Sequence, residues 1–290
     1  MRDFEYFEPT SIEEAVLLLN KHGDNAKIIA GGTDLIPQMQ ERQIRPEYIV
    51  NLGHIPGLSY IKNDAGTVKI GTLTTLRDIE KSAELASTLP ILPKVASLMA
   101  SAPVRNTATI GGNLCNASPA ADMAPPLIGL SASARVIGSS GERTIQLNDL
   151  FTGPGTTIIN RNELLIELQI PPIAPRTGVI YMRHGRRGAS EVAIVGVAAV
   201  ITLEASDGIC KDAKIVLGSV APTPIRALEA EATLKGHKID DQVIEKAAQS
   251  AASASKPISD IYAPAEYRKE MVIAFTRRAL RAALELAGRS

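Results

Sequence analysis

Thr109-Ile110-Gly111-Gly112-Asn113-Leu114-Cys115-Asn116-Ala117-Ser118-Pro119 decides how this chain is read. It sets a Gly-Gly pair between a small polar residue and an apolar run. An earlier stretch, Ile29-Ala30-Gly31-Gly32-Thr33-Asp34-Leu35, is built the same way. Glycine permits positive φ and close backbone approach, so several N–H groups can converge on an anion with no side chain between them. One such loop is an ordinary turn. Two can hold the phosphates of a dinucleotide from opposite sides. Neither stretch fits Gly-x-x-x-x-Gly-Lys-Ser/Thr, which excludes a P-loop, and neither fits Gly-x-Gly-x-x-Gly, which leaves a Rossmann site without support.

Around the first loop, Ser11 and Glu14 have the spacing of a capping box for a helix over residues 11–22, with Ile12, Ala15, Val16 and Leu19 on its apolar face. Residues 27–30 are a short buried strand, 48–52 another, and 35–42 a helix that takes Pro37 in its first turn. The first loop therefore lies at a strand-to-helix turn, where a helix N-terminus attracts phosphate. Further along, 68–71 is a strand, and 75–86 is a helix opened by Thr75 with Asp78. Residues 92–100 form a second helix, ended by Ser101-Ala102-Pro103, and the second glycine loop follows. Ser139-Ser140-Gly141 turns a hairpin between 134–137 and 144–147, and 163–170 is a strand.

The proline-rich run from Pro171 to Pro175 marks the domain boundary. Beyond it, 192–203 and 213–220 are β-rich and joined through Ser206-Asp207-Gly208 as a tight hairpin. Helices follow over 225–234, 241–253 and 265–286. The chain reads as α+β in two unequal parts.

Lys plus Arg and Asp plus Glu number 31 each, so the net charge is zero and the basic excess of a nucleic-acid binder is missing. Apolar residues make up 45% and mean hydropathy is +0.06, as in a globular protein with a substantial core. No apolar run reaches the ~18 residues of a membrane span. The opening Met1-Arg2-Asp3-Phe4-Glu5 lacks the apolar core of a secretion signal, and a cytoplasmic location is expected. Cys115 and Cys210 are the two cysteines, too few for an iron–sulfur cluster or a structural zinc held by this chain alone. The four histidines are scattered and read as surface or structural residues. Cys115 reads as a small buried filler, since no neighbouring cation or resolving cysteine argues for an activated thiolate.

Ala30-Gly31-Gly32-Thr33-Asp34-Leu35 resembles the first flavin loop of the FAD-binding medium subunits of molybdenum hydroxylases, the xanthine dehydrogenase and carbon monoxide dehydrogenase family. Thr109 to Asn113, with Asn116-Ala117-Ser118-Pro119 and Asp122, resembles their second loop. The resemblance runs nearly end to end, from Phe4-Glu5-Tyr6 and Pro9, through Val104-Arg105-Asn106, to Pro264-Ala265-Glu266-Tyr267-Arg268.

The resemblance implies an FAD-binding domain of the vanillyl-alcohol-oxidase / p-cresol-methylhydroxylase type over 1–175, with subdomains of about 1–56 and 57–175. A smaller C-terminal flavoprotein domain with an antiparallel sheet and helices is implied over 176–290. Both loops would cradle the FAD pyrophosphate through backbone N–H groups: Ile29, Ala30, Gly31, Gly32, Thr33, Asp34, Leu35 and Ile36 in the first, and Thr109, Ile110, Gly111, Gly112 and Asn113 in the second. The hydroxyls of Thr33 and Thr109 and the amide of Asn113 would add donors. Ala100, Asp122 and Leu165 match further cofactor positions. Arg183 falls where many relatives carry lysine, a cation that would steady reduced flavin, and near Glu191 the aromatic residue of some relatives is lacking. Asp34 is an odd neighbour for a pyrophosphate, since like charges repel, and is expected to cap the next helix through its side chain. Arg105 would reach a phosphate, a partner or a surface ion pair.

By the same resemblance the chain is an electron-transfer subunit. Iron–sulfur clusters in a small subunit would deliver electrons from a molybdopterin large subunit, FAD would collect two, and an external acceptor would take them. A dimer of heterotrimers is the implied assembly. The alternative is a free-standing FAD-dependent oxidase or dehydrogenase with its own organic substrate. It calls for a catalytic base or a flavin-linking His or Cys, and no histidine flanks either loop.

Overall fold

The computed structural model describes residues 3–187, 191–204 and 208–289. β1 (Glu5–Phe7), α1 (Ile12–His22), β2 (Ala26–Ile29), α2 (Leu35–Gln40) and β3 (Tyr48–Asn51) build a parallel sheet in the order β1-β3-β2. Helical connections make the parallel pairing possible. Ser11 caps α1 by accepting from the Glu14 N–H at 3.1 Å. The Glu14 carboxylate accepts from the N–H of Thr10, not of Ser11, so only half of the expected capping box forms. Ala15, Val16 and Leu19 bury against Val50 and Leu52. The strand expected to be buried, β2, is an outer strand with Lys27 exposed and Ile28 and Ile29 half-buried.

The central sheet is antiparallel, in the order β4-β5-β10-β6-β7: β4 (Ile61–Asp64), β5 (Thr67–Gly71), β6 (Ser133–Gly138), β7 (Gly141–Gln146) and β10 (Leu164–Ile170). β8 (Phe151–Gly153) and β9 (Thr156–Thr157) pair separately. The two-residue turn between β6 and β7 is the hairpin read from Ser139-Ser140-Gly141. Seven helices accompany this sheet: α3 (Leu76–Lys81), α4 (Ala83–Thr88), α5 (Ile91–Leu98), α6 (Ala102–Arg105), α7 (Ile110–Cys115), α8 (Ala124–Gly129) and α9 (Leu147–Leu150). Their buried side chains, Leu85, Leu92, Val95, Leu114 and Leu127 among them, share a core with Val68, Ile70, Val136 and Leu168. A register shift between Leu165 and Glu167 lets β10 serve two cores. Leu164 and Ile166 belong to the N-terminal one, and Leu165, Leu168 and Ile170 to the central one.

Three local expectations are corrected in this region. The single helix over 75–86 is two, because Ser82 leaves helical geometry (φ −67°, ψ 114°) and its Oγ accepts from the Leu85 N–H at 3.1 Å, capping a fresh start. Ser101-Ala102-Pro103 does not end a helix. α5 has stopped at Leu98, and Pro103 sits in the first turn of α6, where its missing N–H costs nothing. The second glycine stretch, read as a loop, is the opening of α7, with Thr109 as its N-cap.

β11 (Thr177–His184), β12 (Val195–Leu203), β13 (Cys210–Gly218) and β14 (Ile225–Arg226) form an antiparallel sheet in chain order. α10 (Leu228–Leu234), α11 (Asp241–Ala254) and α12 (Ala265–Arg289) cover one face, where Val197, Ala199, Ile201 and Ile215 meet Ala247, Ala251, Leu280 and Ala283. The other face sends Tyr181, Ala198 and Val216 into the central core. Coverage on both faces explains why β12 reads as an apolar run without alternation. Ser206 and Asp207 of the expected hairpin turn lie outside the described residues, while the strands flanking it pair antiparallel. Residues 225–234, expected as one helix, begin with β14. Among the described residues no helix is long and apolar enough to cross a membrane.

Candidate cofactor site

A cleft of about 550 Å³ opens between the β2–α2 turn and α7, with the segment after β5 and the start of β10 behind it. Cofactor sites have this size. The cleft brings together Ala30, Gly31, Gly32, Thr33, Asp34 and Leu35 from one wall, Thr109, Gly111, Gly112 and Asn113 from the other, and Leu165 from β10. Gln38 Nε2 donates to Asn116 Oδ1 at 3.2 Å, tying α2 to the end of α7 across it.

The four glycines have different reasons to be glycine. A Cβ on Gly31 would overlap the carbonyl oxygen of Thr107, so the first loop packs directly on the backbone leading into the second. A Cβ on Gly111 would overlap the Thr72 hydroxyl. Gly32 has φ +69°, which β-carbon sterics disfavour, and a Cβ there would stand 2.9 Å from Ile36 Cδ1. On Gly112 a Cβ would meet only Thr109 Oγ1, at 2.9 Å.

The backbone donors divide as sharply. Among the described residues, the N–H groups of Gly31, Gly32, Thr33, Asp34 and Leu35 make no hydrogen bond. In the second stretch Ile110 N–H donates to Thr74 O and Gly111 N–H to Thr72 O, both at 3.0 Å, and Gly112 N–H to Thr109 Oγ1 at 3.0 Å. α7 therefore offers side chains more than backbone. Thr109 Oγ1 accepts from Gly112, and among the described residues its own hydrogen has no acceptor. Asn113 Oδ1 is buried with no partner, an arrangement that folded proteins avoid unless a ligand or water completes it. On the opposite wall the Thr33 hydroxyl has no partner among the described residues. A pyrophosphate-bearing ligand rich in hydroxyls fits these groups: five open N–H donors, two hydroxyl donors and one orphaned acceptor.

Asp34 does not cap α2. Its backbone is already helical (φ −105°, ψ −46°) instead of extended, which keeps the carboxylate from the N–H groups it would have to reach. Asp34 is exposed, and partial loss of solvation raises its carboxyl above the ordinary value. Cys115 is exposed, not the buried filler expected, and lines the cleft. The surrounding cleft wall still restricts solvation of its sulfur and pushes the thiol up to about 12, so it is no thiolate at neutral pH.

Six expected site residues do not line this cleft. Ile29 and Ile36 pack beside Gly32 and shape the loop from behind. Ile110 is wholly buried in the core. Ala100 has φ +43°, and its carbonyl accepts from Arg105 Nη1 at 3.2 Å. Arg105 does not line the cleft, and of the expected partners it takes an ion pair, largely buried instead of at the surface. It is buried, with Nε 2.9 Å from Glu80 Oε2 and Nη1 2.9 Å from Met99 O. Asp122 and Arg183 instead meet each other: Arg183 Nη1 donates to Asp122 Oδ2 at 2.7 Å, Tyr181 OH donates to Asp122 Oδ1 at 2.6 Å, and Arg183 Nη2 donates to Glu191 O at 3.3 Å. Both partners of the ion pair are more than nine-tenths buried. Burial raises the Asp122 carboxyl against the pull of Arg183, and burial together with Asp122 keeps Tyr181 protonated as a donor. Breaking such a pair from one side costs about 3–5 kcal/mol, so it pins β11 to the segment after α7.

The cleft also takes Lys27, Gln38, Thr72, Leu73, Gly155 and Leu164, which sequence reasoning did not select. They come from separate stretches of the chain, with no shared spacing to reveal them. Gln38 alone carried a signal, one turn into the helix after the first loop.

Residues 2–173 match the family described as FAD binding domain in molybdopterin dehydrogenase, and residues 180–283 match the CO dehydrogenase flavoprotein C-terminal domain. The carbon monoxide dehydrogenase medium chain of Afipia carboxidovorans is 37% identical over 278 residues, covering 96% of this chain and 95% of that one. The xanthine dehydrogenase FAD-binding subunit of Escherichia coli O157:H7 is 30% identical over 295 residues, covering 99% of each. In the solved carbon monoxide dehydrogenase from Hydrogenophaga pseudoflava, a chain 34% identical superposes with a TM-score of 0.95 over 98% of both. The mixed helix-and-sheet architecture, the two matched segments and the full-length similarity to these subunits establish that the chain belongs to the family of FAD-binding medium subunits of molybdenum hydroxylases.

Proposed function

We propose that the cleft between the first loop and α7 holds FAD, and that the chain is the flavoprotein electron-transfer subunit of a molybdenum-dependent hydroxylase or dehydrogenase. The observation that carries the cofactor reading is the run of five N–H groups, Gly31 to Leu35, left open on one wall of the cleft. These donors take the pyrophosphate, Thr33 and Thr109 add hydroxyls, and Asn113 Oδ1 accepts from a ligand hydroxyl or N–H. Leu164 and Leu165 supply apolar contact. Asp122, Tyr181 and Arg183 fix the C-terminal sheet against this half of the molecule. Bound FAD supplies the means to collect single electrons and release them in pairs.

The fold fits a flavin domain of the vanillyl-alcohol-oxidase / p-cresol-methylhydroxylase type over 1–175, in subdomains of about 1–56 and 57–175, with a C-terminal domain over 176–290. Two cysteines cannot ligate clusters, so iron–sulfur and molybdopterin centres belong to a small and a large partner subunit. We infer a dimer of heterotrimers that passes electrons to an external acceptor in the cytoplasm. Expression of the full chain alone tests both halves of this reading. The purified protein is expected to be yellow, to carry FAD, and to turn over no organic substrate until the partner subunits are added. A colourless chain that takes up no FAD contradicts the cofactor, and substrate turnover by the isolated chain contradicts the electron-transfer role.

A further inference from the structure

We propose that Asp34 limits how tightly this cleft retains its cofactor, because its carboxylate stands in the same run of chain as the open N–H donors and repels the phosphates they attract. The inference rests on the FAD reading. Asp34 lines the cleft, and among the described residues its side chain makes neither a cap bond nor an ion pair. Lys27 on β2 is the other charged residue lining the cleft, and it too is without a partner there. The remaining polar side chains lining the cleft are threonines, glutamines and asparagines and a protonated Cys115, all neutral. A doubly charged pyrophosphate thus meets fixed charges that sum to zero, with the negative one set among its own donors. Asp34 is exposed, so solvent screens the repulsion, and a modest effect on affinity is expected.

A second consequence is proton linkage. The other titratable groups lining the cleft are Lys27, from β2, and Cys115, from α7. The Cys115 thiol stays neutral through the physiological range because the protein around it restricts its solvation and pushes it up to about 12. Lysine keeps its charge well above neutrality. Protonation of the Asp34 carboxyl, already raised by partial loss of solvation, removes the repulsion, so affinity for FAD rises as pH falls through the carboxylate range.

The test titrates FAD into the flavin-free full chain, following flavin fluorescence from pH 8 down to about pH 4, into the carboxylate range, for the native protein and Asp34→Asn. Thermal midpoints of both apo proteins serve as the check on folding. Asp34→Asn is expected to bind about threefold to tenfold tighter at pH 7 and to lose the pH dependence of the native chain. Equal or weaker binding by Asp34→Asn overturns the proposal, and weaker binding would identify the carboxylate as an acceptor for a ligand hydroxyl. A native chain that binds no FAD at any pH overturns the reading beneath the proposal. A native chain that binds FAD without gain in the variant overturns the proposal alone.

Discussion

In the first glycine loop, which lines the cleft, the N–H groups of Gly31 through Leu35 make no hydrogen bond among the described residues. In the second, Thr74, Thr72 and Thr109 take the N–H groups of Ile110, Gly111 and Gly112. The first pair of glycines frees backbone donors. The second brings a helix close enough to Thr72 for its own donors to be consumed, leaving Thr109 and Asn113 to reach the ligand with side chains. Identical Gly-Gly dipeptides thus solve two problems: conformational freedom at Gly32, and close approach at Gly31 and Gly111. What a glycine does is set by what stands over its Cα.

The largest effect is expected where glycine is required for packing. Gly31→Ala and Gly111→Ala each drive a methyl into fixed neighbours, the Thr107 carbonyl or Thr72. Each should cost about 1–3 kcal/mol or more in stability, read as a lower thermal midpoint of the apo chain. An unchanged midpoint would mean that the loops are not packed as described. Gly112→Ala should separate folding from binding. Its methyl meets only Thr109 Oγ1, and alanine favours a helix by up to ~1 kcal/mol, so the midpoint should hold while FAD affinity falls at least about tenfold. Full affinity in a folded Gly112→Ala protein would remove α7 from the site.

Smaller effects distinguish the two hydroxyls. Thr109→Val removes a helix cap, at about 1 kcal/mol of stability, and weakens FAD binding as well. Thr33→Val removes a hydroxyl with no protein partner. It should leave stability within about 0.5 kcal/mol while weakening binding a few-fold, as urea denaturation and FAD titration of the same samples would reveal. Equal stability losses in both variants would erase the distinction between the loops.

Much of this was legible in the sequence because the signals are local. Thr75 with Asp78 does form a capping box, and Asp240 caps α11 at the expected start. The cleft gathers the two glycine stretches just as their composition suggests. β11 was not legible, since its alternation is blurred where one strand faces the central core, the α12 helix and the Asp122 ion pair at different points. Nor could the sequence tell which N–H groups remain open. That depends on Thr72 and Thr74, some 40 residues before the Gly111 and Ile110 N–H groups they accept from, and no local pattern records it. Asp34 was misread for a related reason: its residue type suits a cap, and its backbone geometry forbids one.

Amide hydrogen exchange, residue by residue, in the full chain with and without FAD tests the division between the loops most directly. Without FAD the amides of Gly31 to Leu35 should exchange fast and those of Ile110 to Gly112 slowly. Saturation with FAD should protect the first group strongly and leave the second nearly unchanged. Protection by FAD that appears at 110–112 and not at 31–35 would contradict the assignment of the pyrophosphate to the first loop.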